Sequence, residues 1–393
     1  MSLADLDLSL SPLERLRRCA AARPDYIDLS SSNPTQHGFT FPPDILRGAA
    51  DAYWSARRYE PHPKGSLRAR EAIAEYYAGR RPALQVAPEQ IFITASTSEA
   101  YALLFTLLTE PGDNVLAPLP SYPLFEHLAM MRHISLRNYK LELRMAPEGT
   151  PQWTLDPTAF VAGADEHTRA VLVISPHNPT GHVLAEPLGL PRAKSRVGAG
   201  AGLPIIADEV FCEFPFAVAS VPPVGTLFPD ETVFHLNGIS KMFALPDLKL
   251  GWIALTGPRA DEYLERLELL NDTLLSANSL TQSMLPALFT QGMDFTRDMH
   301  ARVLESLTQA LGRFAAMGGV QVARPQGGTY LFPRIAACQD EEALVSRLLE
   351  AGVFAHPGYF YDAEDGCHLM ISGLLEREKL LEGLGRVAAV LSS

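Results

Sequence analysis

The sequence predicts an α/β protein. It should have a large domain with a mainly parallel sheet flanked by helices, plus a smaller α+β domain built from the N-terminal segment and the C-terminal third. Short apolar runs, such as residues 170–175 and 232–236, have the length of buried strands. Helical patterns lie between several of these runs. The 393 residues, 47% of them hydrophobic, suffice for one large core or two domains.

We expect three segments along the chain. Residues 1–45 should pack with the small domain, residues 46–288 should form the large domain, and residues 289–393 should form the small C-terminal domain. Helix and strand patterns are mixed in the last segment, as in an α+β domain. Residues 189–203 are rich in Gly, Ala and basic residues, which predicts a connection between a helix and a strand.

Charge and cysteine content exclude several classes of function. A formal net charge of −12 makes nucleic acid and anionic membranes poor partners. No apolar run is long enough to cross a bilayer, and residues 1–18 lack the apolar core of a signal peptide. The cysteines have no metal-ligand spacing, so we expect a cytoplasmic protein with reduced thiols and no metal site. They are Cys19, Cys212, Cys338 and Cys367.

The N-terminal part of the chain predicts helices joined by polar loops. Ser11 suits an N-cap, so a helix should run from Pro12 to Ala22. The polar residues 31–35, which include Asn33, should form a loop. Tyr59 lies in a further loop that precedes a predicted helix over residues 66–77.

A Ser/Thr-rich turn follows the predicted strand of residues 90–94 and opens an amphipathic helix. Free backbone N–H groups and the positive end of the helix dipole make such a turn suitable for a phosphate. Capping of the helix by Thr97 or Ser98 explains the same residues without a ligand.

Four more polar or aromatic residues each follow a predicted strand. Tyr122 can stack on a flat ring, and Asn178 lies in an Asn-Pro-Thr-Gly turn. Asp208 is either a carboxylate held at a strand end or an exposed loop acid. Lys241 is either a surface lysine or an amine whose pKa is lowered by desolvation, which would make it nucleophilic toward an aldehyde. In a mainly parallel sheet, all these strand ends lie at one edge.

Residues 237–252 contain Ser240-Lys241, a Pro-containing turn, Lys249 and then Gly251. This stretch resembles the lysine signature of class I/II aminotransferases, the fold-type-I enzymes of pyridoxal 5′-phosphate (PLP), and the resemblance extends from about Leu29 to the C-terminus. It implies PLP as the cofactor and a homodimer in which Tyr59 reaches the cofactor phosphate of the other subunit.

The resemblance also implies the role of each candidate. Lys241 and Asp208 are catalytic, Lys241 as the amine bonded to the cofactor aldehyde and Asp208 as the partner of the ring nitrogen. Asn33 and Asn178 contact substrate. The cofactor-binding residues are Thr97, Ser98, Tyr122, Asn178, Asp208, Ser240, Lys241, Lys249 and Tyr59.

The implied activity is transfer of an amino group between an amino acid and a 2-oxo acid by a ping-pong mechanism. A PLP-dependent lyase resembling a C–S β-lyase, a decarboxylase or a racemase uses the same lysine and carboxylate, so these activities remain alternatives. A non-catalytic PLP-binding regulatory module is disfavoured, because such modules are usually fused to a DNA-binding segment and we expect no spare N-terminal domain in this acidic chain. A catalytically dead relative is disfavoured because both Lys241 and Asp208 are present.

Three positions depart from the family pattern. Lys249 stands where arginine is usual, and Phe211 stands where many relatives have a tyrosine that donates to the cofactor. Met370 stands where relatives carry the arginine that clamps the substrate carboxylate. Asn178, backbone N–H groups near Asn33, His368 or Arg324 can replace that arginine, or else the substrate is not an ordinary α-amino acid.

Overall fold

A computed structural model describes residues 9–190, 202–275 and 277–393. Most of the predicted connection at residues 189–203 lies outside these ranges. The helices are α1 (Pro12–Ala21), α2 (Pro43–Ser55), α3 (Leu67–Ala78), α4 (Thr97–Leu108), α5 (Leu124–Met131), α6 (Pro157–Ala162), α7 (Val224–Leu227), α8 (Ile239–Met242), α9 (Asp261–Leu274), α10 (Ser279–Gln291), α11 (Met293–Ala315), α12 (Glu341–Glu350) and α13 (Arg377–Ser392). The strands are β1 (Ile27–Asp28), β2 (Ile91–Thr94), β3 (Asn114–Leu119), β4 (Ser135–Met145), β5 (Pro151–Leu155), β6 (Thr168–Ile174), β7 (Ile205–Asp208), β8 (Val233–Gly238), β9 (Gly251–Thr256), β10 (Val320–Gln321), β11 (Tyr330–Leu331), β12 (Arg334–Ile335), β13 (Val353–Phe354), β14 (His356–Pro357) and β15 (Cys367–Ser372).

The large sheet has, within the described residues, eight strands in the order β2-β9-β8-β7-β6-β3-β4-β5. Strands β4, β3, β6, β7 and β8 pair in parallel. Strand β9 pairs antiparallel with both β8 and β2, so β2 runs in the same direction as the parallel strands. Strands β2, β3, β7, β8 and β9 are buried along their whole length, as expected for a sheet covered on both faces. The predicted α/β fold with a mainly parallel sheet is confirmed.

A smaller sheet joins the C-terminal strands in the order β10-β12-β15-β11, with β14 also paired to β15. The N-terminal segment packs against this region. Strand β1 pairs in parallel with β13, and the backbone N–H of Ser372 donates to the carbonyl of Leu29 at 2.7 Å. The two ends of the chain therefore meet in one layer. The predicted division after residue 288 falls inside α10, which ends at Gln291.

Local sequence signals predict the starts of some helices to within one or two residues. Helix α1 begins at Pro12, and the Ser11 hydroxyl accepts a hydrogen bond from the Glu14 N–H at 3.1 Å. Helix α4 differs from its predicted amphipathic pattern, because none of its residues is exposed. It packs against β8 and β9 on one side and against α5 and α9 on others. No helix of the described chain is long and apolar enough to cross a membrane.

The expectation of four reduced thiols is wrong for one pair. Cys338 and Cys367 form a disulfide, with Cα atoms 5.8 Å apart. Antiparallel pairing of β12 with β15 sets Cys367 opposite Ile335. The Cys338 N–H donates to the Ile335 carbonyl at 3.2 Å, so a turn brings the second sulfur back to the first. Cys19 is a free exposed cysteine and Cys212 a free buried one.

This arrangement predicts three reactivity classes toward a thiol reagent. In the native, non-reduced protein Cys19 should react within minutes. Cys212 should react only after denaturation, because it is buried and burial raises the pKa of its thiol to about 12. Cys338 and Cys367 should react only after reduction. Timed labelling followed by peptide mass spectrometry distinguishes the classes, with Cys19→Ser as the control. Labelling of Cys338 in the denatured but unreduced protein would contradict the pairing.

Candidate active site

A cavity of about 430 Å³ opens at the edge of the large sheet where the parallel strands end. Each of β2, β3, β6, β7 and β8 delivers a predicted residue to this edge at its C-terminal end or in the loop beyond it. Strand β9 runs the opposite way and begins there, so Lys249 enters the same edge from the other direction. The predicted residues that line the cavity are Thr97, Ser98, Tyr122, Asn178, Asp208, Ser240, Lys241 and Lys249.

Asp208 is the last residue of β7, and its side chain is buried rather than exposed in a loop. One carboxylate oxygen, Oδ2, accepts a hydrogen bond from the Tyr101 hydroxyl at 2.8 Å. The other, Oδ1, accepts from the Val210 N–H at 3.2 Å. Burial raises the pKa of Asp208 to about 6, although both hydrogen bonds favour the charged form. A cation placed against this carboxylate would therefore be stabilised strongly.

Lys241 lies in the short helix α8, directly after β8, and it is not a solvated surface lysine. Desolvation in the cavity lowers the pKa of its amine, and the negative charge of Asp208 opposes part of that shift. The two groups thus share one cavity and interact through it. The Lys241 Nζ lies 5.9 Å from the centroid of the Phe211 ring. An amine with a lowered pKa that shares a cavity with a buried carboxylate is suited to nucleophilic attack and to proton transfer.

The turn at the start of α4 leaves two hydroxyls without a role in capping. Ser96 is the N-cap, and its hydroxyl accepts from the Glu99 N–H at 3.1 Å. The alternative of capping by Thr97 or Ser98 is therefore wrong, and both residues line the cavity. Gly251 explains the close approach of β9, because a Cβ there would lie 2.9 Å from the Thr97 nitrogen. The turn and helix dipole form an anion-binding cradle.

Asn178 supplies an independent sign that the cavity is shaped for a ligand. Its Oδ1 is buried and has no hydrogen-bond partner among the described residues, an arrangement that costs stability unless a ligand satisfies it. The adjacent His177 ring contacts the Thr180 hydroxyl at 2.8 Å through Nδ1, which fixes the turn. Cradle, carboxylate, amine and unpartnered amide match the groups of PLP, so the residues present fit this cofactor.

Two predicted residues lie outside the cavity lining. Asn33 is exposed, and its Oδ1 accepts from the N–H of Thr35 at 3.1 Å and from its hydroxyl at 2.8 Å. This local cap occupies the Asn33 carbonyl oxygen, and Ser30 and Ser32 of the same segment face the cavity instead. Tyr59 is 82% exposed and lines a separate cleft of about 790 Å³.

Sequence reasoning missed several residues of the lining. No local pattern marks Tyr101, because the hydrogen bond to Asp208 spans 107 positions. Another group of missed residues comes from the N-terminal segment and the C-terminal part of the chain, where short strands give weak periodicity. Phe211 and Met370, noted as departures from the family pattern, also face the cavity. The missed residues at the two chain ends are Ser30, Ser32, Tyr330, His356 and Tyr361.

Comparisons with known proteins identify the family of this chain. The family model "Aminotransferase class I and II" matches residues 24–381. Glutamate-pyruvate aminotransferase AlaA of Haemophilus influenzae is 27% identical over 93% of this chain and 90% of that protein. Human tyrosine aminotransferase is 28% identical over 78% of this chain and 66% of that protein.

Solved structures show the same fold. An aminotransferase from Escherichia coli superposes with a TM-score of 0.82 and 24% identity, covering 98% of this chain and 95% of that one. Alanine aminotransferase from Pyrococcus furiosus gives a TM-score of 0.81 and 23% identity, covering 96% and 95%.

Asp208 should destabilise the cofactor-free protein at neutral pH. Its pKa is about 6 in the fold and 3.8 in the reference state. The stability it contributes is therefore complete below pH 3.8 and is lost as the pH rises through about 6. Asp208→Asn should raise the free energy of unfolding by about 3 kcal/mol at pH 8, with the gain vanishing toward pH 3.5.

Denaturant unfolding of the cofactor-free protein across this pH range measures the effect. Asp247→Asn removes an exposed carboxylate from the turn after α8, so it is the matched control and should change little. An Asp208→Asn gain that stays constant from pH 3.5 to 8 would show that the cause is not titration.

Proposed function

Because the chain belongs to the class I and II aminotransferase family, whose members depend on PLP, we propose that its transamination runs in this cavity, with Lys241 as the reacting amine and Asp208 as the partner of the ring nitrogen. The enzyme moves an amino group between an amino acid and a 2-oxo acid. The observation that carries the residue assignment is the pair itself. A desolvated amine and a buried carboxylate face one cavity, and each affects the pKa of the other.

When bound, PLP supplies an aldehyde that reacts with amines and a ring that withdraws electrons from the substrate Cα. Lys241 would hold the cofactor through its Nζ. The same amine, when free, would take the proton from the substrate Cα and deliver it to the cofactor carbon that receives the amino group. Burial favours this work, because it lowers the pKa of the amine and so raises its neutral fraction.

The carboxylate of Asp208 is held in one position in the site. The Tyr101 hydroxyl and the Val210 N–H hold the two carboxylate oxygens, so the carboxylate cannot turn away. A cationic ring nitrogen placed there would compensate the desolvation penalty of the buried carboxylate. The electron-withdrawing power of the ring depends on that positive charge.

The remaining residues position the cofactor. We assign the phosphate to the N-terminus of α4, with the hydroxyls of Thr97, Ser98 and Ser240 and the ammonium of Lys249 around it. A lysine neutralises phosphate as a point charge and lacks the paired donors of arginine. Tyr122 would stack on the ring, and the Asn178 side chain would contact the ring edge and the substrate.

A homodimer and a cytoplasmic location are also part of the proposal. Tyr59 and Leu275 expose large apolar groups to water, and Leu275 is 79% exposed. Both line one cleft together with Tyr53 and Arg58. A second subunit seated there would cover this apolar surface and bring Tyr59 to the neighbouring cofactor. The Cys338–Cys367 disulfide means that reduced thiols do not support a cytoplasmic location. We base this location on the proposed amino-acid and 2-oxo-acid substrates.

Lys241→Ala should abolish transamination. The holoenzyme is mixed with amino donors and with 2-oxoglutarate or pyruvate, while cofactor absorbance and oxo-acid products are recorded. Loss of the acid–base amine alone predicts a fall in kcat of about 10²–10⁴-fold. Borohydride should fix PLP to Lys241 in the wild type only.

Lys249→Ala is the control for a nearby positive charge. It should weaken PLP binding and keep turnover at saturating PLP. Turnover by Lys241→Ala at the wild-type rate would refute the assignment. Release of ammonia or carbon dioxide, or racemisation, without an oxo-acid acceptor would indicate the lyase, decarboxylase or racemase activity.

Tyr59→Phe should raise the Kd of PLP about tenfold, because one charge-assisted hydrogen bond to phosphate contributes about 1.5 kcal/mol or more. Fluorescence titration of the cofactor-free dimer measures this. Tyr359→Phe, at a second exposed tyrosine, is the control. Dilution below the dimer dissociation constant should abolish activity, and unchanged specific activity of a proven monomer would contradict the shared site.

A further inference from the structure

The second wall of the cavity is made by the N-terminal segment and the small sheet. Within the described residues, His356 is its only basic side chain. An amino acid and a 2-oxo acid both carry a carboxylate beside the reacting carbon, so some group of the cavity has to bind it. The residues of this wall are Ser30, Ser32, Tyr330, His356, Tyr361 and Met370.

Strand pairing places His356 directly beside Met370. Strands β14 and β15 are antiparallel, with His356 opposite Met370. Residues directly opposite each other lie on the same face of a sheet, with Cβ atoms about 5 Å apart. A hydrogen-bond donor at position 356 thus points to the same side as one at position 370, from the neighbouring strand.

A hydrogen bond orients the His356 ring. Its Nδ1 lies 3.2 Å from the Tyr361 hydroxyl. Burial raises the pKa of Tyr361, so this hydroxyl keeps its proton. When it donates to Nδ1, the proton of the neutral imidazole is fixed on Nε2. No hydrogen bond among the described residues engages Nε2, which leaves an N–H donor for a ligand.

The groups around His356 have opposing effects on its pKa, so a bound ligand can change the protonation of the ring. Burial lowers the pKa of the ring, the Asp28 carboxylate of β1 raises it, and Arg17 of α1 lowers it. The rings of Phe354 and Phe360 pack against the imidazole with centroids 5.5 and 5.3 Å away. A carboxylate bound at Nε2 adds a second negative charge and favours the imidazolium.

Two other candidates for this role, His368 and Arg324, are engaged elsewhere. The Nε2 of His368 contacts the Asp365 carboxylate at 2.9 Å, and its ring stacks on Phe332 with centroids 4.6 Å apart. Arg324 is exposed, and its guanidinium lies 5.1 Å from the centroid of the Phe216 ring. Neither residue lines the cavity.

We propose that His356, oriented by Tyr361, binds the carboxylate common to both substrates, a role that rests on the transaminase function proposed above. An imidazole replaces a permanently charged guanidinium in this role. Carboxylate affinity should then fall as the pH rises through the pKa that His356 has in the complex. Substrate recognition is thereby coupled to pH through a residue that does not touch the reacting atoms.

The test measures binding of succinate, a carboxylate that cannot react, to the holoenzyme. Calorimetry gives its Kd from pH 6 to 9 for the wild type and for His356→Leu. Loss of one hydrogen bond to a charged group predicts a Kd about 10- to 100-fold higher, with KM raised alike, kcat little changed and the pH dependence lost. Arg324→Leu is the matched control and should bind like the wild type. An affinity of His356→Leu equal to that of the wild type would overturn the proposal.

A second measurement is made on the wild-type protein, and a variant is needed only to assign one signal. The ring signals of histidine in ¹³C-labelled wild-type protein report the pKa of His356, with His356→Gln used for assignment. Succinate should raise that pKa, because the bound state favours the imidazolium. An unchanged pKa at saturating succinate would overturn the proposal, while the Lys241→Ala result tests the transaminase function separately.

Discussion

The burial of Asp208 next to Lys241 is the constraint on which the site depends. A carboxylate and an amine taken out of water each lose solvation. This desolvation shifts the pKa values of both groups toward their neutral forms. Tyr101 and the Val210 N–H hold the carboxylate in place. Desolvation lowers the pKa of the Lys241 amine. We expect cofactor binding to compensate the buried charge of Asp208.

In the proposed site, chemistry and substrate recognition come from different parts of the molecule. The large sheet supplies the cradle, the carboxylate and the amine at one edge. The small sheet and the N-terminal segment supply the opposite wall, held together by β1 pairing with β13 and by the bond between Ser372 and Leu29. Changes in this wall can alter substrate choice without disturbing Asp208 or Lys241.

Some elements follow from local residue types, and others do not. The Ser11 cap and the start of α1 were predictable, because a cap is a contact between near neighbours. The cap of α4 was assigned to Thr97 or Ser98 but is Ser96, a difference of one position that local propensity does not resolve. The Cys338–Cys367 disulfide and the inward-facing Ser30 and Ser32 depend on how distant strands pair.

The sequence by itself determined the order of buried strands, the polar residue after each, and hence a shared edge that carries Lys241 and Asp208. Apolar runs and the turns that end them are local signals, so they survive without tertiary information. Only the tertiary structure decided which groups complete the site, such as Tyr101 on the carboxylate and His356 beside Met370. Those contacts join residues far apart in the chain, and their register is set by packing rather than by neighbouring residues.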